Sequence, residues 1–202
     1  MIIGTAALLV IDMQYDFLDA DAPVHCVGGM EMVPRVRKLI DACRAAGVPA
    51  IFTQEVHRAS RIDMGRELDG NEPDHCLIGS RGVEIHDDLQ PGPDDFRVPK
   101  ARYDAFLGTD LPYVLNGLRV LPHDTLIICG VASNVCVHYT SAAAHQRDYR
   151  VKVVEDCCAG SSVEEHEAAM TQINYLQNGA RVKLDEFLED IEEYGARKAA
   201  AR

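Results

Sequence analysis

The sequence predicts a single α/β domain: a doubly wound, mostly parallel sheet with helices on both faces, a Rossmann-like three-layer sandwich. Three observations point there. Short apolar runs alternate with segments of helical period, which is the pattern of strands buried on both faces. The 202 residues suit one domain with an elaboration and leave little room for two. The residues suited to chemistry fall at or just after the predicted strand ends, where sheets of this kind bind ligands.

The elements follow in order. Ala6–Asp12 is an apolar run ending in a carboxylate, read as a buried strand. Met30–Ala46 carries Val33, Val36, Ile40 and Cys43 at helical spacing, and Gly47 stops it. Val48–Gln54 is a second strand. Residues 55–94 are polar and rich in Gly, Pro, His and Asp without a lasting period, which marks a functional, loop-rich insertion that sets specificity. Phe96–Pro99 is a short strand leading to Lys100. Thr109 caps a helix over Asp110–Leu118, with Pro112 in its first turn. Thr125–Val131 is a strand, Asn134–Asp148 a helix and Arg150–Asp156 a strand. Ser162 and Glu165 form a capping box for a helix to Gln177, and Gly179 ends it. Ala180–Leu184 is a last strand, followed by a helical tail that frays. One domain, 1–202, accounts for the whole chain.

Composition narrows the function. Twenty basic against 32 acidic residues give a net charge of −12, which disfavours nucleic acid and anionic membranes as partners. No apolar run approaches the roughly 18 residues of a membrane span. No basic stretch precedes the first apolar run, so a signal peptide is not expected. Seven cysteines with no CxxC spacing, in a chain large enough to fold without staples, suit a reducing cytoplasm. The adjacent Cys157 and Cys158 read as thiols. His25, His86, His123, His138, His145 and His166 carry no assignment.

Asp12, Glu55, Lys100 and Ser133 come from four predicted strand ends. Cys136, in GVASNVCV, sits just inside the helix after the strand Thr125–Val131. A helix N-terminus carries partial positive charge and free N–H groups, which favour a thiolate and an oxyanion. The plain alternative is a cysteine packed under the helix. Asp12 is either a strand-ending carboxylate or a base, and Lys100 either a surface group or an electrostatic partner. Taken together they supply what a cysteine nucleophile needs: a base for its proton and a cation nearby.

VIDMQYDF (10–17), VPKARYDAFLGTDL (98–111) and GVASNVCV (130–137) resemble the signature blocks of the isochorismatase-like cysteine hydrolases, over about residues 5–184. The resemblance implies Asp12 as general base, Lys100 as electrostatic partner and Cys136 as nucleophile. It also implies a cis peptide before Ala132 and an oxyanion hole made by the backbone N–H groups of Ala132 and Cys136. Presence of the cysteine favours small-amide hydrolysis over the vinyl ether hydrolysis of isochorismatase itself. It further implies a homodimer or homotetramer.

TQEVH (53–57) and EPDHC (72–76) resemble the nicotinamidase blocks that hold a divalent metal. Glu55, His57 and His75 stand at the ligand positions, but Glu replaces Asp, and Val56 and Glu72 replace two tryptophans. Two readings stay open: zinc, manganese or iron on these three side chains, or hydrogen bonds among them or to substrate with no metal required. Arg61 and Arg66 read as substrate forks or as surface arginines. Phe17, Tyr103 and Phe106 read as pocket walls or as core. The expected activity is therefore cysteine-dependent cleavage of a C–N bond in a small amide. The alternatives are a metal-dependent nicotinamidase-type enzyme, a vinyl ether hydrolase, and a non-hydrolytic thiol sensor or binding module.

Overall fold

The structure, a computed structural model, describes residues 1–70 and 72–200. Residue 71, within the expected insertion, and residues 201 and 202, at the end of the expected tail, lie outside the described residues.

Six strands form one all-parallel sheet in the order β3-β2-β1-β4-β5-β6: β1 Ala6–Ile11, β2 Ala50–Glu55, β3 Phe96–Lys100, β4 Thr125–Gly130, β5 Arg150–Cys158 and β6 Arg181–Val182. Every residue of β1 and β4 is buried, which is why these strands read as unbroken apolar runs rather than alternating ones. The helices are α1 Tyr15–Leu18, α2 Gly29–Ala45, α3 Leu111–Gly117, α4 Cys136–His145, α5 Val163–Leu176 and α6 Leu184–Ala200. α2 packs with α6, and α4 with α5. Right-handed crossovers put these two pairs on opposite faces, because the chain winds from β1 toward β3 through α2 and from β4 toward β6 through α4.

Boundaries differ from the sequence reading in instructive places. α4 starts at Cys136, two residues later than the period suggests, because residues 131–135 form the turn that carries the site. β5 extends to Cys158. The four-residue α1 is too short to leave a periodic signal. The expected capping box is present: the Ser162 hydroxyl accepts from the Glu165 N–H at 3.1 Å. Among the described residues the tail is helical to Ala200. Phe187, Ile191 and Tyr194 bury one stripe of α6. Among the described residues the insertion holds two short 3-10 turns, Glu67–Asp69 and Asp87–Leu89. Isolated bridges tie it down, Gln14 to Ile85 and His57 to Leu77. Among the described residues no helix is long and apolar enough to cross a membrane.

The order of the sheet creates the crevice. Successive connections from β1 and β4 leave in opposite directions, so the chain diverges beyond their carboxyl ends and opens a crevice at a switch point. Gly130 lets the two ends come close: its φ is +118°, and a Cβ there would lie 2.1 Å from the Ile11 carbonyl oxygen. All seven cysteines are free and buried.

Candidate active site

Four adjacent strands each deliver one side chain to the same edge. Lys100 ends β3, Glu55 ends β2, Asp12 follows β1, and Cys136 opens α4 after β4. Glu55 and Lys100 are register partners, so their side chains meet by sheet geometry alone. Asp12 has a φ of +47°, a left-handed conformation uncommon for a residue other than glycine. Its N–H donates to Thr53 Oγ1 at 3.1 Å, and that hydroxyl donates back to Asp12 Oδ1 at 2.7 Å. Gln14 clamps the next strand. Its Oε1 accepts from the Glu55 N–H at 2.7 Å, and its Nε2 donates to the Glu55 and Val83 carbonyls at 2.8 Å each.

Lys100 Nζ is the hub. It lies 2.7 Å from Asp12 Oδ2, 3.0 Å from Glu55 Oε2 and 3.3 Å from Cys136 Sγ. The Cys136 thiol also approaches Glu55 Oε2 at 3.5 Å. All four side chains are buried. Asp12 Oδ2 has an ion-pair partner but no directed hydrogen-bond donor, and with Glu55 and Cys136 it offers atoms all within 4.8 Å of one another. An acceptor so placed can take the thiol proton.

Burial and charge set the protonation states. Burial pushes the Cys136 thiol well above its ordinary range, Asp12 and Glu55 add to that, and Lys100 opposes. Burial also raises the Asp12 carboxyl, against Lys100. Burial alone would lower Lys100, but the charges around it outweigh that and hold it well above the usual lysine range. Burial would likewise raise Glu55, but Lys100, His57 and His75 keep it well below the usual carboxylate range. The resting pattern is thus an ammonium, an ionised Glu55 and a neutral thiol. The helix-terminus expectation of an easily ionised thiol meets a larger opposing effect, the loss of water.

The peptide bond between Val131 and Ala132 is cis. Neither the Ala132 nor the Cys136 N–H is taken up by a backbone carbonyl among the described residues, whereas the Ser133 N–H bonds to the Ala159 carbonyl at 2.7 Å. Val135 caps α4 without a side-chain hydrogen bond, which leaves donors at the helix start.

Behind Glu55 lies a second cluster. His75 Nδ1 donates to the Pro73 carbonyl at 2.7 Å, turning Nε2 toward Glu55 Oε1 at 2.8 Å. His57 Nε2 is 3.3 Å from Glu55 Oε1 and 3.4 Å from Glu67 Oε2. Burial would lower both imidazoles, but the carboxylates outweigh it and raise them, His57 to about 9. Both oxygens of the buried Glu67 lack a hydrogen-bond donor. Glu55, His57, Glu67 and His75 each offer a ligand atom within 4.8 Å of the others. This donor set suits a divalent cation: two imidazoles, one held in the ligating orientation by a carbonyl, and a carboxylate otherwise left unsatisfied.

A cavity of about 500 Å³ opens onto Cys136, Glu55 and His75. Phe17 and Tyr103 line it, as do Ala132, Glu72 and His25. The other expected pocket residues lie elsewhere. Phe106 is buried against Tyr149, with the Arg147 guanidinium over its ring, so it is core. Arg61 is exposed and paired with Asp74, and Arg66 is almost fully exposed beside Asp69. Arg66 is met by a carboxylate on its own turn and Arg61 by one across the loop, both at the surface. The sequence reading missed Thr53, Gln14 and Glu67. Thr53 and Gln14 leave a signal, a polar residue inside or just beyond a buried run. Glu67 sits in a loop with no period and leaves none.

A family model described as the isochorismatase domain matches residues 6–184. The chain belongs to the isochorismatase family. Among its relatives, nicotinamidase 3 of Arabidopsis thaliana is 34% identical over 173 residues, covering 84% of this chain and 81% of that protein. A probable inactive nicotinamidase of the same plant is 31% identical over 168 residues, covering 80% and 84%. A solved cysteine hydrolase from Pseudomonas syringae pv. phaseolicola superposes with a TM-score of 0.86 at 29% identity, covering 96% of each chain. A pyrazinamidase of Pyrococcus horikoshii, solved in complex with zinc, gives 0.78 at 28% identity, covering 89% of this chain and 99% of that one. The family fold explains the all-parallel sheet and the crevice where Asp12, Lys100 and Cys136 meet.

Proposed function

We propose that this isochorismatase-family protein hydrolyses the C–N bond of a small non-peptide amide through a thioester on Cys136. The observation that carries the reading is the buried contact of Cys136 Sγ with Lys100 Nζ, at 3.3 Å, with the Asp12 carboxylate 2.7 Å from the same ammonium. Nicotinamidase relatives support the reaction class. As Sγ attacks the amide carbon, the thiol proton passes to Asp12 and the carbonyl π electrons move onto oxygen. The N–H groups of Ala132 and Cys136 hold that oxyanion. Collapse breaks the C–N bond, and the proton on Asp12 goes to the leaving nitrogen, giving ammonia. Water then gives a proton to Asp12 and attacks the thioester carbon. The thiolate leaves and recovers that proton. Lys100 stays charged throughout and offsets the negative charge that moves between Asp12 and sulfur.

Glu55, His57, Glu67 and His75 would hold a divalent cation. When bound, it supplies positive charge beside Glu55 and ties three residues of the insertion to the end of β2. The four donors favour this as a variant of the same reading.

The test is ammonia release from nicotinamide, pyrazinamide, biuret, carbamoylated amino acids and aliphatic amides, with and without chelator, beside Cys136→Ala. Release that disappears in Cys136→Ala supports the reading. Absence of release from every amide, with the protein folded and metal supplied, overturns it.

A further inference from the structure

Among the described residues, the cavity beyond Cys136 presents a carboxylate that no cation pairs. Its half-buried end presents the Glu72 carboxylate, whose Oε2 accepts from the Tyr103 hydroxyl at 3.0 Å. Oε1 accepts no hydrogen bond among the described residues. Burial and the Glu72 charge both hold the Tyr103 phenol in its protonated, donating form, so this carboxylate is fixed in place. His25 also lines the cavity, its Nδ1 donating to the Asp19 carbonyl at 2.9 Å. Among the described residues no arginine or lysine lines this cavity. Lys100 lies behind it, already held between Asp12 and Glu55. Arg61 and Arg66 are spent on Asp74 and Asp69 outside it.

A bound carboxylate would therefore leave water to face Glu72, which no cation pairs among the described residues, an unfavourable exchange. A group that donates N–H bonds meets the opposite situation, and an ammonium gains Coulomb attraction as well. The volume, about 500 Å³, suits a compact ligand. We infer that the substrate is a small amide whose end remote from the scissile bond carries N–H donors and a neutral or positive charge, and that Glu72 is the residue that reads it. Amides and ureides ending in a carboxylate are rejected. Glu72 occupies the position at which the nicotinamidase-like block has a tryptophan, so an aromatic wall has been exchanged for an acceptor.

The inference rests on Cys136 being the reacting group of this cavity, so its test has two arms. In the first, mass spectrometry follows alkylation of Cys136 by iodoacetamide, iodoacetate and 2-bromoethylammonium, each rate divided by that of the same reagent with glutathione. In the second, kcat/KM is measured for β-alaninamide, butyramide and succinamate, which differ mainly in terminal charge. Both are run on the wild type, Glu72→Gln, Glu72→Lys and Tyr103→Phe. The expected order is cation, neutral, anion, with the cation favoured over the anion by about tenfold or more. Glu72→Gln should remove most of that preference, Glu72→Lys should reverse it, and Tyr103→Phe, which leaves every charge in place, should blunt it. Alkylation that follows the expected order with no amide cleaved would sustain the charge selectivity assigned to Glu72 and sink the amidase reading. Cys136-dependent cleavage indifferent to charge and to Glu72 would do the reverse. Preference for the anionic member in wild type, or the same preference in wild type and Glu72→Gln, overturns the inference in either arm.

Discussion

Glu55 Oε2 lies 3.0 Å from Lys100 Nζ, while the other oxygen of the same carboxylate lies 2.8 Å from His75 Nε2. One side chain thus joins the Cys136 site to the histidine cluster. The sheet sets the first contact, since Glu55 and Lys100 are partners across β2 and β3. Side-chain length sets the second. Aspartate, shorter by about one C–C bond, would not span the same gap from the same backbone. In this chain the longer acid spreads over both clusters, and any change at Glu55 should be felt in both.

Replacing Glu55 with Gln should therefore lower activity and stability together. The amide keeps the shape but removes one of two counter-charges on a fully buried ammonium. A broken buried pair costs about 3 kcal/mol or more, and Asp12, still 2.7 Å from Lys100, offsets part of it. The expected result is a clear fall in denaturation midpoint with a loss of kcat of about tenfold or more. Unchanged denaturation and kinetics would show that Asp12 alone suffices to hold Lys100.

Cys136→Ala should abolish ammonia release, by at least about 10³-fold in kcat, because no other group of the site can form the thioester. The folded state should survive, since Ala132 and Val137 around the position are small or apolar and the void is small. Quenching a wild-type reaction at low pH should trap a mass increase on the peptide holding Cys136. Comparable turnover in Cys136→Ala would point instead to water attack directed by Asp12 or Glu55.

Metal content offers a reading independent of turnover. Protein refolded with zinc, manganese or iron and then dialysed should retain about one ion per chain, with a raised melting temperature. Glu67→Gln should weaken retention by about tenfold or more, and His75→Ala should remove it. The Glu67 result is the more informative, because its carboxylate has no hydrogen-bond donor without an ion. No retained metal and no thermal shift in wild type would leave the cluster as a hydrogen-bonded one centred on Glu55.

The legibility of this site in the sequence followed the period of the elements that carry it. Asp12, Lys100 and Cys136 end or follow strands whose apolar runs are unmistakable, and their motifs are specific in combination. Glu55, His57 and His75 are visible through the resemblance of TQEVH and EPDHC to the nicotinamidase blocks, though not the sharing of Glu55 between two clusters, which depends on register and side-chain length. The loop residues were not readable. Arg61 and Arg66 look like anion forks in a sequence, but carboxylates satisfy them at the surface. Glu67 and Glu72 look like solvated acids, yet loop closure buries one and turns the other into a cavity. Phe106 fell to the core because α4 and its flanking chain bring Tyr149 and Arg147 against it. A one-dimensional pattern records which face an element buries and says little about where an aperiodic loop sends its side chains.

Away from the site, Glu155 on β5 makes the pH dependence of folding testable. It is nearly buried, bonds Arg181, and lies 2.5 Å from Lys183 Nζ. Burial would raise its carboxyl, but the two cations outweigh that and hold it below the usual range. A carboxyl whose pKa is lower folded than unfolded stabilises the fold above its unfolded value, roughly 4.3. That contribution is lost as pH falls through the folded value. Glu155→Gln should accordingly cost about 1 kcal/mol at pH 7, the exposure of Lys183 keeping it modest. The cost should shrink as pH falls below about 4, when the wild-type carboxyl is protonated too. Urea denaturation of both proteins at pH 7, 5 and 3 measures it. A difference that stays constant across that range would mean that Glu155 acts through packing, with its charge contributing nothing.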